Sequence, residues 1–352
     1  MQQMPPKKHS RQERSSAYAR GLLWGVSLAL LVTGCSKRES PEADGADGTP
    51  GQPSGRLWIY HAASLSRPFE ALEKAFEAQF PGVDLVRESS SSRMAIRKVT
   101  ELNRKAGVVA SADIALLREL MIPQHAAWGL GFARNRVVIA YTSRSRARNE
   151  INADNWYDVL LRDDVRFGYC NPNMAPVGYR TLLTWQLAEQ HYAQGLNGRK
   201  LAQELIDKCP KKHMRPHCNE LIPLLESLSL DYTFQYRSVA LQHHLEWLQL
   251  PDEVDLGSET LSDTYARALV EIAGPRRDET ITRVGKPIIY GITIPKSADN
   301  LEAAQAFLAL LLSPEGNKMM VENFQEPISP PLCDAPASVP APLRTFLQEK
   351  PQ

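Results

Sequence analysis

Charge of either sign is missing as an excess: 41 Lys and Arg stand against 40 Asp and Glu, a formal net charge of +1. A surface built for nucleic acid carries a strong basic surplus, so no nucleic-acid partner is expected. The chain has no Gly-rich loop ending in Gly-Lys-Ser/Thr, no GxGxxG after a strand, no HExxH and no internal repeat. These absences exclude the phosphate loop, the dinucleotide cradle and the zinc-protease helix. No G-x-S-x-G elbow is present either. Ser64 lies three residues from His61, and His243-His244 are elsewhere. That is no set of nucleophile, base and orienting group. His61 is expected to pack at a strand end, and neither an enzyme nor a cofactor is expected. Hydrophobic content of 43% and charged content of 23% are those of an ordinary globular protein.

A membrane-spanning run is also lacking. Residues 1–20 carry Lys7, Lys8, Arg11, Arg14 and Arg20, and are followed by GLLWGVSLALLVTGC, ending at Cys35. Its apolar core falls short of the ~20 residues a spanning helix needs. A basic region, a short apolar region and small residues before a cut describe a secretion signal. Val32-Thr33-Gly34-Cys35 resembles a lipobox, which implies a signal peptide over 1–35 and a lipidated Cys35 as the new N-terminus. The alternative is an uncleaved anchor with a chance cysteine. In both, the bulk of the protein lies outside the cytoplasmic membrane, in the periplasm or at the cell surface. Residues 36–55 are polar and rich in Gly and Pro. They have nothing to bury and read as a flexible tether, so the folded part begins near Arg56. Cys170, Cys209, Cys218 and Cys333 follow. Four cysteines in an exported chain allow three full pairings, and the proximity of Cys209 to Cys218 makes a bridge there plausible.

From Arg56 onward, hydrophobic spacing alternates between strand and helix. Leu57 to Tyr60 reads as a strand. Phe69, Leu72, Phe76 and Phe80 recur at helical spacing, with Ser66 as expected N-cap, Pro68 in the first turn and Pro81-Gly82 as stop. Val83 to Val86 is the next strand. Four serines, Ser89 to Ser92, precede a second helix with Ile96, Val99 and Leu102 on one face. Val108 to Ala110 and Ile114 to Leu117 read as further strand. A second unit starts with Arg136 to Tyr141. It holds a strand near Arg166 to Tyr169, the loop NPNMAPVGYR (Asn171 to Arg180), a helix through about His191, and LDYTFQYRS. A strand, IIYGITI, follows Pro287, then a helix carrying Ala304, Phe307, Leu308, Leu311 and Leu312. This is the pattern of an α/β fold with parallel sheets, in which ligands bind where strand ends meet helix starts. The segments near 137–141 and 288–294 are expected to join two lobes with a cleft between them. NPNMAPVGYR stops at a helix start, a natural anion site, yet carries no charge before Arg180.

The strings HAASLSRPFEALEKAFEAQFPGV, RKVTEL, VVASAD, INADNWYDVL, NPNMAPVGYR, LDYTFQYRSVALQH, LPDEVDLG, VGKPIIYGITIPK and FQEPI resemble, in order, the tungstate/molybdate-binding proteins of ABC importers, in particular the archaeal-type tungstate binders. The likeness runs from about Arg56 to Pro331. It implies the two-lobed periplasmic-binding-protein fold of type II, with an oxyanion cleft between lobes. Lobe 1 would be 56–135 plus 289–345, and lobe 2 would be 136–288. It also implies a cargo of one small oxyanion, tungstate or molybdate, passed to an ABC permease and its ATPase by a monomer tethered to the membrane through its lipid. The anion contacts implied are Ala63, Ser64 and Ser92, the loop residues Ala175, Pro176 and Val177, and Cys218 and Tyr236. Apart from the family, Ser64 and Ser92 read equally as helix caps, and Tyr236 as core.

Two positions depart from the family pattern. Its loop reads roughly D-P-N-x-D-P-x-G-Y-R, and the second Asp coordinates the metal of the oxyanion; Ala175 stands there. Its R-P-K-E segment supplies a coordinating Glu; Arg215-Pro216-His217-Cys218 puts Cys218 at that place. The neighbouring F-E-Y is Phe234-Gln235-Tyr236. Loss of both carboxylates removes like-charge repulsion on a dianion and implies a tetrahedral ion held by hydrogen bonds. Three other readings stay open. The anion can be another one, such as sulfate or phosphate. The chain can be a degenerate sensor or scaffold that no longer transports. Cys209, His213, His217 and Cys218 together form a soft-ligand cluster of the zinc or copper type, although Pro210 and Pro216 break any single helix face through it.

Overall fold

The computed structural model describes residues 52–274 and 278–348. The signal-peptide reading of 1–35, Cys35 with it, and all but the last four residues of the tether lie outside the described residues. Among the described residues no helix is long and apolar enough to cross a membrane.

Two sheets organise the chain. The first holds β1 (Gly55–Ala62), β2 (Val83–Ser90), β3 (Val108–Ser111), β4 (Leu130–Asn135), β12 (Ile288–Thr293) and β13 (Glu326–Cys333), in the order β13-β4-β12-β3-β1-β2. The second holds β5 (Val137–Tyr141), β6 (Phe167–Cys170), β7 (Met214–Arg215), β8 (Tyr232–Tyr236) and β9 (Glu246–Gln249), in the order β7-β6-β8-β5-β9. A hairpin of β10 (Leu269–Ala273) and β11 (Thr280–Val284) stands apart from both. β1 runs parallel to β2 and β3, and β6 runs parallel to β7 and β8. β5 and β12 are antiparallel to their neighbours, so both sheets are mixed. The chain leaves the first sheet at Arg136 and re-enters it with β12. The two-lobed α/β architecture is the one expected from the sequence, but the parallel sheets expected there are mixed, because β4, β5, β9, β12 and β13 pair antiparallel.

Each sheet buries an aromatic core against its helices. On the first, α1 (Ser66–Gln79) sets Phe69, Leu72 and Phe76 on one fully buried face. Phe69 and Phe76 meet Phe307 of the helix Leu301–Leu312 edge-on, at ring-centroid distances of 5.8 and 5.6 Å. On the second, Trp185 packs on Phe234 at 5.3 Å. Burial of each such ring stabilises by roughly 1.5–3 kcal/mol, enough to hold the strand ends, and whatever follows them, in fixed places.

Four local expectations are corrected. Ile114 to Leu117 is not strand but the start of α3 (Ile114–Leu120), because Asp113 Oδ1 accepts the Ala115 N–H at 2.9 Å and caps a helix. Ser66 is not an N-cap. A 3-10 turn, Ala63–Leu65, moves the helix start forward, Leu65 takes the cap position, and Ser66 Oγ donates to Ala63 O at 2.8 Å. The second helix, α2 (Ser92–Thr100), ends before Leu102, which is exposed. The serine run is divided: Ser89 and Ser90 finish β2, Ser91 caps α2, and Ser92 is its first residue.

Candidate functional site

Six segments, each following a strand of a parallel pair, converge on one small cavity. Ala62 and the turn Ala63–Leu65 end β1, Ser90 to Ser92 end β2, and Ala112 follows β3. From the other sheet, Ala175 to Val177 follow β6, His217 and Cys218 follow β7, and Tyr236 ends β8. The residues named from Ala62 to Tyr236, other than Leu65, line a cavity of about 20 Å³. That volume is about that of one water-sized group, far too small for a sugar or a peptide. All eight residues named from the sequence (Ala63, Ser64, Ser92, Ala175, Pro176, Val177, Cys218 and Tyr236) are on its wall.

The hydroxyl groups there share one hydrogen-bonding arrangement. Ser64 Oγ accepts from Tyr290 OH at 2.9 Å, and Tyr290 OH itself accepts from Asn135 Nδ2 at 3.2 Å. Ser92 Oγ accepts the Ala112 N–H at 2.9 Å. Tyr236 OH accepts from Arg180 Nη1 at 2.6 Å. A hydroxyl has one proton to donate and lone pairs to accept with. In each of these three, a fixed donor occupies a lone pair and the proton is left to donate. Neither Ser64 nor Ser92 acts as a helix cap; that duty at α2 belongs to Ser91.

Around these donors the wall is neutral, with no Asp or Glu among its described residues. Burial pushes the Cys218 thiol up to about 12, so it stays a thiol. Burial also raises the pKa of Tyr236 far above its ordinary value, against the opposing pull of Arg180, so its phenol stays protonated. Arg180 is the charged group behind the wall. Its guanidinium is buried, donates to Ala112 O at 2.6 Å and lies 3.4 Å from Asp113 Oδ1. Burial disfavours its charge, but Tyr236 and Asp113 reverse that, and it remains a cation.

The loop before α5 (Pro176–His191) holds its shape by contact. Ala175 is the N-cap, Pro176 the first residue and Val177 the second. The first amides of a helix have no partner within it and are natural anion donors. Gly178 packs on the end of β6 so closely that a Cβ there would lie 2.5 Å from Cys170 O. The next two side chains reach the other sheet: Tyr179 OH donates to the Asp113 carboxylate, and Arg180 spans to Ala112. Arg93 Nη1 of α2 donates to Asn173 O and Ala273 O at 3.1 and 2.7 Å, and Asn219 Nδ2 to Ala63 O at 3.4 Å. These contacts tie the loops of the two sheets together around the cavity.

The bridge between Cys209 and Cys218 is not formed. All four described cysteines are free; Cys209 Sγ is directed at Phe167 O and Cys218 Sγ at Asn219 Oδ1, each 3.4 Å away. Nor does the segment gather a metal centre. His213 Nδ1 is engaged with Phe167 O at 3.1 Å and His217 Nε2 faces Glu220. Among the described residues no group of three or more His, Cys, Asp or Glu is placed to hold an ion. His61 is buried in β1, with Nδ1 on Ala62 O at 2.9 Å and its ring against Phe69. Sequence reasoning assigned no role to Arg180, Ala112 or Tyr290, and placed His217 only in the soft-ligand cluster that is not formed. Arg180 was visible as the loop's one charge. Tyr290 comes from a strand 226 residues after Ser64 and left no signal.

The profile of the family described as "Bacterial extracellular solute-binding protein" matches residues 57–324. A "Molybdate/tungstate-binding protein WtpA" of Pyrococcus abyssi is 36% identical over 331 residues, covering 88% of this chain and 93% of its own. One of the same description from Thermococcus kodakarensis is 37% identical, covering 87% and 90%. A relative from Petrotoga mobilis, described only as a solute-binding protein, reaches 45% over 84% of this chain and 91% of its own. These relatives agree with the resemblance read from the sequence. Among solved structures, the sulfate-binding protein SubI of Mycobacterium tuberculosis aligns with a TM-score of 0.56 at 16% identity, covering 83% of this chain and 90% of that one. The periplasmic molybdate-binding protein of Azotobacter vinelandii aligns with a TM-score of 0.53 at 16% identity, over 76% and 98%. At such identity the likeness is one of fold.

Proposed function

The chain belongs to the bacterial extracellular solute-binding proteins, and from that premise we propose that it captures tungstate or molybdate as a tetrahedral, hydrogen-bonded dianion. The observation that carries this reading is the set of three hydroxyls, on Ser64, Ser92 and Tyr236, each with a lone pair occupied and a proton to give, around a wall without a carboxylate. Hydrogen bonds to a charged acceptor contribute ~1.5–3 kcal/mol each. With backbone amides near Ala63 and Val177 added, five to seven of them suffice for tight capture on that scale.

In this reading the metal of the anion keeps its four oxygens. Ala175 offers no oxygen to it, and the Cys218 thiol, held protonated by burial, is a neutral neighbour and not a ligand. The anion is then handed to the permease and ATPase of an ABC importer. The binder is a monomer, lipidated on Cys35 and held outside the cytoplasmic membrane, with lobe 1 formed by 56–135 plus 289–345 and lobe 2 by 136–288.

The neutral wall favours a second anion of the same shape and charge, sulfate, nearly as well. Titration calorimetry with tungstate, molybdate, sulfate, phosphate and chromate ranks them, and tungstate or molybdate is expected to bind tightest. A crystal with tungstate is expected to have four oxygens on tungsten; a protein carboxylate oxygen bonded to the metal would sink the proposed geometry. If no oxyanion gives heat or a thermal shift, the sensor or scaffold reading replaces transport.

A further inference from the structure

One residue of the cavity wall carries a polar atom that has no use in the arrangement above. His217 Nδ1 is buried and has no hydrogen-bond partner. The other ring nitrogen, Nε2, lies 3.5 Å from Glu220 Oε1. A buried polar atom without a partner is unfavourable, and beside a binding cavity a ligand can supply the partner. We infer that His217 is a further ligand of the anion, giving it the Nδ1–H of an imidazolium, so that anion binding draws a proton onto the protein. This rests on the reading that the cavity takes an oxyanion.

The tautomer decides the chemistry. A neutral imidazole has one N–H. The Glu220 carboxylate only accepts, so its place near Nε2 favours the hydrogen there and a lone pair on Nδ1. A fully ionised oxyanion also only accepts, and a lone pair facing it repels. A proton taken from solvent onto Nδ1 satisfies both sides at once: Nε2–H to Glu220 and Nδ1–H to the anion. The surroundings do not supply that hydrogen otherwise. On the same turn are Cys218, a neutral thiol, and Glu220. β6 brings Tyr169 and Cys170, and β7 brings Arg215, whose guanidinium donates to Lys212 O and Met214 O. Across the cavity are Tyr236, with Arg180 behind it, and Ser90, with Lys98 at 3.3 Å and Glu88 paired to that lysine at 2.9 Å. Among these, Glu220 alone is paired with the His217 ring.

The sign follows from the proton. A complex that takes one up is favoured at lower pH, so affinity falls as pH rises, by up to about tenfold per pH unit at the alkaline end. The test is titration calorimetry of the folded chain with tungstate, molybdate, sulfate and phosphate, across pH and in two buffers of different ionisation heat. The expected result is uptake of a fraction of a proton, up to one, per anion. His217→Ala is expected to lower affinity about tenfold or more and to abolish the uptake. His217→Asn places a neutral N–H near the Nδ1 position and is expected to recover affinity without uptake. Glu220→Gln lets the neutral ring carry its hydrogen on Nδ1 and is expected to bind with reduced uptake. If His217→Ala does not fold, the other two variants decide the matter. Binding by the wild type with no proton uptake, or an unchanged affinity in His217→Ala, overturns this inference alone. Uptake absent and hydrogen phosphate bound tightest would mean that Nδ1 accepts from the ligand instead, and also overturns it. Folded wild-type protein that binds none of these anions overturns the oxyanion reading and this inference with it.

Discussion

Two residues at the cavity matter as much for what they are not as for what they contribute. Ala175 and Cys218 put a methyl group and a neutral thiol on the wall, which has no carboxylate among its described residues. Introducing one acid, as in Ala175→Asp, sets a negative charge against the proposed dianion. Affinity is expected to fall about tenfold or more near pH 7 and to recover partly as pH falls through the carboxylate range, since protonation removes the repulsion. Calorimetry at pH 7 and pH 4 reads both effects; tighter tungstate binding in this variant would mean that the site accepts metal coordination after all. Tyr236→Phe tests the opposite case, a donor removed. It takes away an anion contact of the proposed site and also the acceptor of Arg180 Nη1, which keeps Ala112 O. Anion affinity is expected to drop about tenfold or more, and unfolding stability by about 1–3 kcal/mol, as measured by calorimetry and urea titration.

The elements carry these residues because strand ends are rigid and loops after them are short. At the start of α5 this comes down to contact distance. In Gly178→Ala the new methyl carbon would meet backbone atoms of Cys170 and Asn171 at 2.5–2.7 Å. Backbone cannot rotate aside as a side chain can, so the loop Asn171 to Ala175 must shift. A loss of about 1–3 kcal/mol of stability is expected, with weaker anion binding, both readable from thermal melts with and without tungstate. The element boundaries also explain what the sequence made legible. Phe69, Leu72 and Phe76 encode α1 by spacing alone, and Pro176 and Gly178 mark the α5 start by backbone chemistry. The meeting of Ser64, Ser92, Ala175 and Tyr236 was legible only through family resemblance, since periodicity says nothing about which loops touch. Ile114 to Leu117 was misread because four apolar residues fit a buried strand as well as a helix. The cap at Asp113 was the deciding signal. Tyr290 behind Ser64, and the lone Nδ1 of His217, depend on packing between distant segments and were not legible at all.

At the scale of the whole molecule, the lobes are held together by ionisable groups, so closure and stability both depend on pH. Two windows are separable. His61 is buried and burial lowers its pKa from 6.5 to about 4. The unfolded chain therefore takes up a proton that the folded chain refuses, and stability is full above 6.5 and lost as pH falls towards 4, by about 3 kcal/mol at ~1.4 kcal/mol per pKa unit. Asp113 acts lower. Burial would raise its pKa, but Arg180 and the hydrogen bond from Tyr179 outweigh it and hold the carboxyl below its ordinary 3.8. Its contribution is present above that value and lost as pH falls through the lower folded one. Because Asp113 and its partners Tyr179 and Arg180 come from different sheets, that loss loosens the closure as well as the fold. His61→Phe is expected to flatten the stability profile between pH 6.5 and 4 and leave the acid limb, whereas Asp113→Asn is expected to remove the acid limb and lower stability at pH 7, by about 3 kcal/mol on the scale of a broken buried ion pair. Urea unfolding at pH 7.5, 5 and 3 separates the two. X-ray scattering of tungstate-loaded protein should then give a larger radius for Asp113→Asn than for the wild type at pH 7. Equal radii would mean that Arg93 and Asn219 suffice to keep the lobes closed without the Asp113 contacts.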